Sequence, residues 1–160
     1  MASIKEAFAS PVNFTLTLAS LASSATAGRE STKVDNSSNL YLDALVYVKI
    51  VLTTGTIGND KAVYVYAYGS LDGTNFADTV TGADAAITMN DPTQLRLIGV
   101  INAVAQSTTY KGGPFSVASA FGGVLPPSWG IVVRNYTGIA LTGTEGNHGY
   151  TFVGVSATVV

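Results

Sequence analysis

The chain has no cysteine, a single histidine and few charges of either sign. Without cysteine there is no disulfide framework, no thiolate nucleophile and no cysteine metal site, and His148 alone cannot build a histidine-based metal centre. Charged side chains make up 11% of the 160 residues, against about 25% in an ordinary soluble protein. The net charge is −2. The eight basic residues, Lys5, Arg29, Lys33, Lys49, Lys61, Arg96, Lys111 and Arg134, are scattered along the chain. Nucleic-acid binding needs positive charge gathered on one face, so no nucleic-acid partner is expected. No apolar run approaches the 18 or so residues of a membrane-spanning helix, and no membrane partner is expected either.

Sequence signatures of catalysis are missing as well. There is no GxSxG elbow, phosphate-binding glycine loop, HExxH or dinucleotide fingerprint. Asp43, Asp60, Asp72, Asp78, Asp84 and Asp91 fall mostly beside turns, where an aspartate usually bonds nearby backbone. The chain reads as a non-enzyme with no cofactor. One oxygen-rich run, Asp72-Gly-Thr-Asn-Phe-Ala-Asp78, has loop spacing suited to calcium but lacks the acidic density of an EF-hand.

What is present is β-forming sequence broken by turn residues. Strand-like runs cover 40–54, 61–70, 95–104, 114–121, 130–136 and 150–160. Glycine, asparagine and proline clusters separate them at 55–60, 71–73, 90–92, 111–113, 122–123 and 143–149. Helical periodicity is limited to a turn near Ile4 to Phe8. This texture predicts an all-β protein, a jelly roll or related antiparallel β-sandwich.

The first 39 residues read differently. Phe14, Leu16 and Leu18 alternate with Thr15, Thr17 and Ala19 in the two-residue period of a half-buried strand. The stretch 14–22 followed by Ala25-Thr-Ala27 imitates a secretory signal, but Glu6, Pro11 and Asn13 interrupt it. Residues 23–39 are rich in Ser, Thr and Asn and hold Arg29 and Lys33 close to two acids. The expected organisation is an N-terminal arm over 1–39, carrying one strand-like segment, and a β-sandwich domain over 40–160.

Two features suggest surfaces. In Val63-Tyr-Val-Tyr-Ala-Tyr68 the tyrosines share one face, suited to a protein or a glycan partner, or simply to a half-covered sheet. Trp129 opens an apolar strand after Leu125-Pro-Pro127 and is either core, interface or a stacking platform. Low charge combined with a mean hydropathy of +0.33 suggests an exterior covered by other molecules, including further copies as a dimer or trimer. A lightly charged, Thr-rich β domain is the plainer alternative.

The words Arg29–Asn36, Tyr41–Leu45, Asp60–Ser70, Asp72-Gly73, Leu95–Gly99, Gly113–Val117 and Phe121–Pro126 give the chain, over about residues 15–142, a texture that resembles small virion structural proteins of tailed bacteriophages, of the capsid decoration or cement type. That resemblance implies a β-sandwich bridging adjacent subunits of the major capsid protein on the capsid surface of the virion, after synthesis in the host cytoplasm. Phe14, Leu16, Leu18, Arg29, Lys33, Tyr64, Tyr66, Tyr68 and Trp129 are the expected interface residues. The competing expectation is a tail, fibre or carbohydrate-binding module that reads glycan through Tyr64, Tyr66, Tyr68 and Trp129.

Overall fold

The computed structural model describes residues 3–160. The described residues form eleven strands: β1 (Ile4–Phe8), β2 (Val12–Asn13), β3 (Ala27–Glu30), β4 (Val34–Asp35), β5 (Asp43–Val51), β6 (Ala62–Ser70), β7 (Ala85–Thr88), β8 (Arg96–Asn102), β9 (Thr109–Ser116), β10 (Ser128–Tyr136) and β11 (Gly149–Val159). Two short 3-10 turns, Ala118–Phe121 and Glu145–Asn147, complete the regular structure. All described strand pairs are antiparallel and build two sheets. The first has the order β1-β11-β5-β9, with β2 also on β11; the second runs β7-β3-β10-β6-β8, with β4 also on β10. The protein is an all-β sandwich.

Alternation along the strands decides what lies between the sheets. Ala44, Val46, Val48 and Ile50 of β5 face Val63, Val65 and Ala67 of β6 and Ile131 and Val133 of β10, all fully buried. Trp129, also fully buried, meets the edges of Phe14 and Phe152 at ring-centre distances of 5.7 and 5.1 Å. These three rings link the two sheets near the middle of the core. The Trp129 indole nitrogen has no hydrogen-bond partner, so the side chain is held by packing alone.

The expected N-terminal arm is corrected. Phe14, Leu16 and Leu18 are 5%, 4% and 0% exposed and belong to the same core. Residues 27–30 and 34–35, expected as linker, pair with β10. Burying three large apolar side chains releases several kcal/mol, about 1.5–3 each, which an arm lying outside the sandwich would forgo. The expected turn of helix at Ile4 to Phe8 is a strand instead, because the C-terminal half of β11 offers it a complete antiparallel partner.

Two expected boundaries also move. The turn expected at 111–113 lies inside β9, where the β5–β9 register shifts between Val46 and Val48. Gly113 sits there at φ 114° with the Val46 carbonyl packed against it, a site that admits no Cβ. The strand expected over 114–121 ends at Ser116.

The chain between β6 and β8 folds back over the outer face of the second sheet. Val80, Ile87, Met89 and Leu95 cover Tyr66, Tyr68 and Val132, forming a smaller second core. Gly130, opposite Tyr68, leaves room for the tyrosine ring to lie across β10. Glu30, fully buried, accepts hydrogen bonds from the Thr81 and Gly82 amides and the Thr81 hydroxyl at 2.7–3.1 Å, tying this excursion to β3.

Because residues 14–35 are core and sheet, removal of residues 1–38 abolishes cooperative unfolding rather than leaving an intact sandwich. Leu18→Ala lowers the unfolding free energy by about 2–5 kcal/mol in urea titration. A truncated chain with a native melt would contradict this architecture.

Candidate interaction site

Six of the nine residues expected at an interface are buried inside the chain, and Arg29, Lys33 and Tyr64 reach its surface. Trp129, Tyr66, Tyr68, Phe14, Leu16 and Leu18 are buried within the chain, so their ring and aliphatic surfaces are already used. Arg29 donates from Nε to Asp84 at 2.7 Å and from Nη2 to the Asp84 carbonyl at 3.1 Å. Lys33 donates to the Gly73 carbonyl and lies 5.9 Å from the Phe76 ring centre. Both cations therefore help to hold the 71–95 excursion. Burial pushes the Tyr68 hydroxyl pKa up, and that hydroxyl donates to the Ser31 carbonyl at 2.6 Å.

Of the tyrosine face, Tyr64 alone remains partly open. Its hydroxyl donates to Asp60 at 2.7 Å, and that bond holds its pKa above the ordinary tyrosine value. The Arg134 guanidinium lies 4.4 Å from the Tyr64 ring centre and 5.6 Å from that of Tyr136. A cleft of about 270 Å³ beside them is lined by Asp60, Asn90, Asp91, Arg134 and Tyr136 among others.

The residues with potential for chemistry are engaged in structure. His148 is buried, with Nδ1 accepting from the Val51 amide at 3.4 Å and Nε2 facing the Thr142 carbonyl at 3.1 Å. The Asp72 carboxylate accepts from the Thr74 and Asn75 amides, the Asn75 side chain and the Ser70 hydroxyl at 2.6–2.9 Å. Asp78 serves a separate set: the Thr79, Asn90 and Gln94 amides and the Thr93 hydroxyl. The oxygens of the 72–78 loop thus bind their own backbone, and no group of three or more His, Asp or Glu side chains among the described residues gathers around one point.

A surface that the sequence did not advertise lies on the outer face of the first sheet. β1 and β2 run along β11 as one interrupted edge strand. Phe8 faces Val155, whereas Val12 faces Phe152. Three residues, 9–11, therefore oppose two, 153 and 154, which is a one-residue bulge ending at Pro11. Proline suits that position because it has no amide hydrogen to give to the ladder. The extra residue inverts the faces. After it the even-numbered Phe14, Leu16 and Leu18 point inward; before it the even-numbered Ile4, Glu6 and Phe8 share the outer face with Val155, Ala157 and Val159.

Ile4 is 76% exposed and Phe8 61% exposed. β5 ends its pairing with β11 at Asp43, so residues 156–159 have β1 as their neighbour and extend past the sandwich as a two-stranded ribbon. At the ribbon's base is a groove of about 650 Å³, where apolar Ile4, Phe8, Leu42, Leu45 and Val155 alternate with polar Lys5, Glu6, Asp43 and Ser116. Asp43 fixes its far wall by accepting from the Ser116 hydroxyl at 2.7 Å and the Ala118 amide at 2.8 Å. The signal in the sequence is slight, because Lys5-Glu6 splits the apolar positions of Ile4-Lys-Glu-Ala-Phe8 and makes them look helical.

No protein-family model, curated protein or solved structure matches the chain.

Two carboxylates pin the segment that follows β2. Asp84 accepts from the Thr17 amide and hydroxyl at 3.1 and 2.6 Å, and Glu145 accepts from the Ala19 amide at 2.6 Å and from the Tyr150 hydroxyl. Burial alone would raise both pKa values. Arg29 and Thr17 outweigh it at Asp84, and Tyr150 and the local amides outweigh it at Glu145, so both are held below the usual carboxylate range. A depressed folded-state pKa adds stability that is full above the unfolded value, near 4, and is lost as pH falls through the folded value. The melting temperature therefore holds between pH 7 and about 5 and drops below about 4. Asp84→Asn with Glu145→Gln starts lower and flattens that drop; an unchanged acid limb would show that these carboxylates are not its cause.

Proposed function

We propose that the chain is a non-enzymatic virion structural protein that decorates or cements a tailed-phage capsid by bridging adjacent major capsid protein subunits. One observation carries this reading: the outer face of the first sheet presents Ile4, Phe8 and Val159 to solvent beside a largely apolar groove. The second sheet, by contrast, has much of its outer face covered by the chain's own excursion. Large exposed apolar side chains clustered on one face mark an interaction site.

The strand order supports a jelly roll within this proposal. Counting β1 with β2 and β3 with β4, and setting β7 aside, the first sheet contains the first, eighth, third and sixth strands, and the second contains the second, seventh, fourth and fifth. That is the order of a jelly roll. Such a shell-bound sandwich acts mechanically, because contacts buried between neighbouring subunits must be broken before the subunits separate. Self-association as a dimer or trimer belongs to the same proposal, since low charge removes the repulsion that keeps copies apart.

The alternative, a tail, fibre or carbohydrate-binding module, draws on the cleft beside Arg134, Tyr64 and Tyr136. Glycan-array binding that disappears in Arg134→Ala would favour it.

Capsids assembled without this chain and then incubated with it provide the test. Ile4 and Phe8 each contribute about 1.5–3 kcal/mol on burial, so Ile4→Asp with Phe8→Asp weakens attachment at least about tenfold in co-sedimentation, with the melting temperature nearly unchanged. Attachment of the double variant at the level of the unaltered chain would reject this surface.

A further inference from the structure

We infer that β1 receives an extended strand of the partner protein along its free edge, so that attachment is by addition of a strand to the first sheet. This inference rests on the capsid-decoration reading and names how that surface is engaged. The pattern of β1–β11 hydrogen bonds fixes which backbone groups are available. The Ser3 amide donates to the Val160 carbonyl, the Val160 amide donates back to Ser3, and the Ala9 amide donates to Gly154. In an antiparallel ladder alternate residues bond to the same neighbour. Residues 3, 5, 7 and 9 thus turn their amides and carbonyls toward β11, and Ile4, Glu6 and Phe8 turn theirs outward. The same three residues carry the outward side chains. β1 therefore offers three amides and three carbonyls at strand spacing, flanked by the exposed apolar side chains of Ile4 and Phe8.

Charge argues against a second copy as the added strand. A two-fold antiparallel pairing must set one residue opposite itself, and three or more residues of β1 pair only when that residue is Lys5, Glu6 or Ala7. Centred on Glu6 it opposes two carboxylates, and centred on Lys5 it opposes two ammonium groups. Centred on Ala7 it sets each Glu6 against the other copy's Phe8. A foreign strand avoids all three conflicts if it carries a lysine or arginine opposite Glu6 and apolar residues opposite Ile4 and Phe8. That is the chemistry we assign to the partner segment.

Proline substitution tests the backbone directly. The Glu6 amide points away from β11, so Glu6→Pro leaves the β1–β11 ladder in place while removing the central donor for an added strand. With capsids assembled without this chain, Glu6→Pro attaches at least about tenfold more weakly. Glu6→Ala, which loses only the cross-strand charge, attaches about twofold to fivefold more weakly. Amide exchange at Lys5, Ala7 and Ala9 reports whether the ribbon survives in the proline variant. In the unaltered chain, exchange at Ile4, Glu6 and Phe8 slows on attachment. Full attachment of Glu6→Pro, or exchange at those three amides that stays fast in the attached state, overturns strand addition. Capsid decoration itself would still stand if Ile4→Asp with Phe8→Asp detaches, whereas an unaltered chain that never attaches rejects decoration. If Glu6→Pro changes only the mass measured by light scattering, the occupant is a second copy and the inference is likewise overturned.

Discussion

Side chains on a strand alternate between faces, so a single extra residue on an edge strand reverses everything beyond it. In this protein that residue lies between Phe8 and Val12. On one side of it the chain contributes Phe14, Leu16 and Leu18 to the core between the sheets; on the other it displays Ile4, Glu6 and Phe8 to solvent. A straight pairing would give one continuous inward face and leave no apolar ribbon. The bulge lets one segment act both as structural edge and as exposed surface.

The two outer faces of the sandwich are treated differently. Over the second sheet, the 71–95 excursion is held down by Glu30, Arg29 and Lys33 and by its own apolar contacts with Tyr66 and Tyr68. The first sheet has no such cover over β1 and the end of β11. A chain with so few charges has little with which to solubilise that second face. In the proposed capsid role, a neighbouring shell subunit takes the place of a covering loop over this face.

Strands that bury one face against the core were legible from alternation: β5, β6, β8, β10 and β11 lie within about two or three residues of their expected limits. Shorter strands were not. Ala27–Glu30 and Ala85–Thr88 pair with each other at the margin of the second sheet, where polar loops supply the contacts and no apolar alternation is required. The Ser/Thr/Asn texture of 23–39 therefore looked like linker although Glu30 and Ser31 are fully buried. The tyrosines of β6 share one face, as alternation predicts, but the segment that covers Tyr66 and Tyr68 comes from a polar, glycine-containing stretch that periodicity cannot reveal. The groove at β1 depends on a register shift between distant segments, which has no local signature.

The account's central claim is that the outer face of the first sheet, at β1, is where another protein sits. A photoreactive phenylalanine analogue in place of Phe8, with a matched probe at Leu97 on the second sheet, tests it on assembled capsids; both positions are more than half exposed in the free chain, at 61% and 51%. The account predicts that the probe at position 8 crosslinks to a capsid subunit and the probe at position 97 does not. Crosslinking from position 97 with none from position 8 would contradict it.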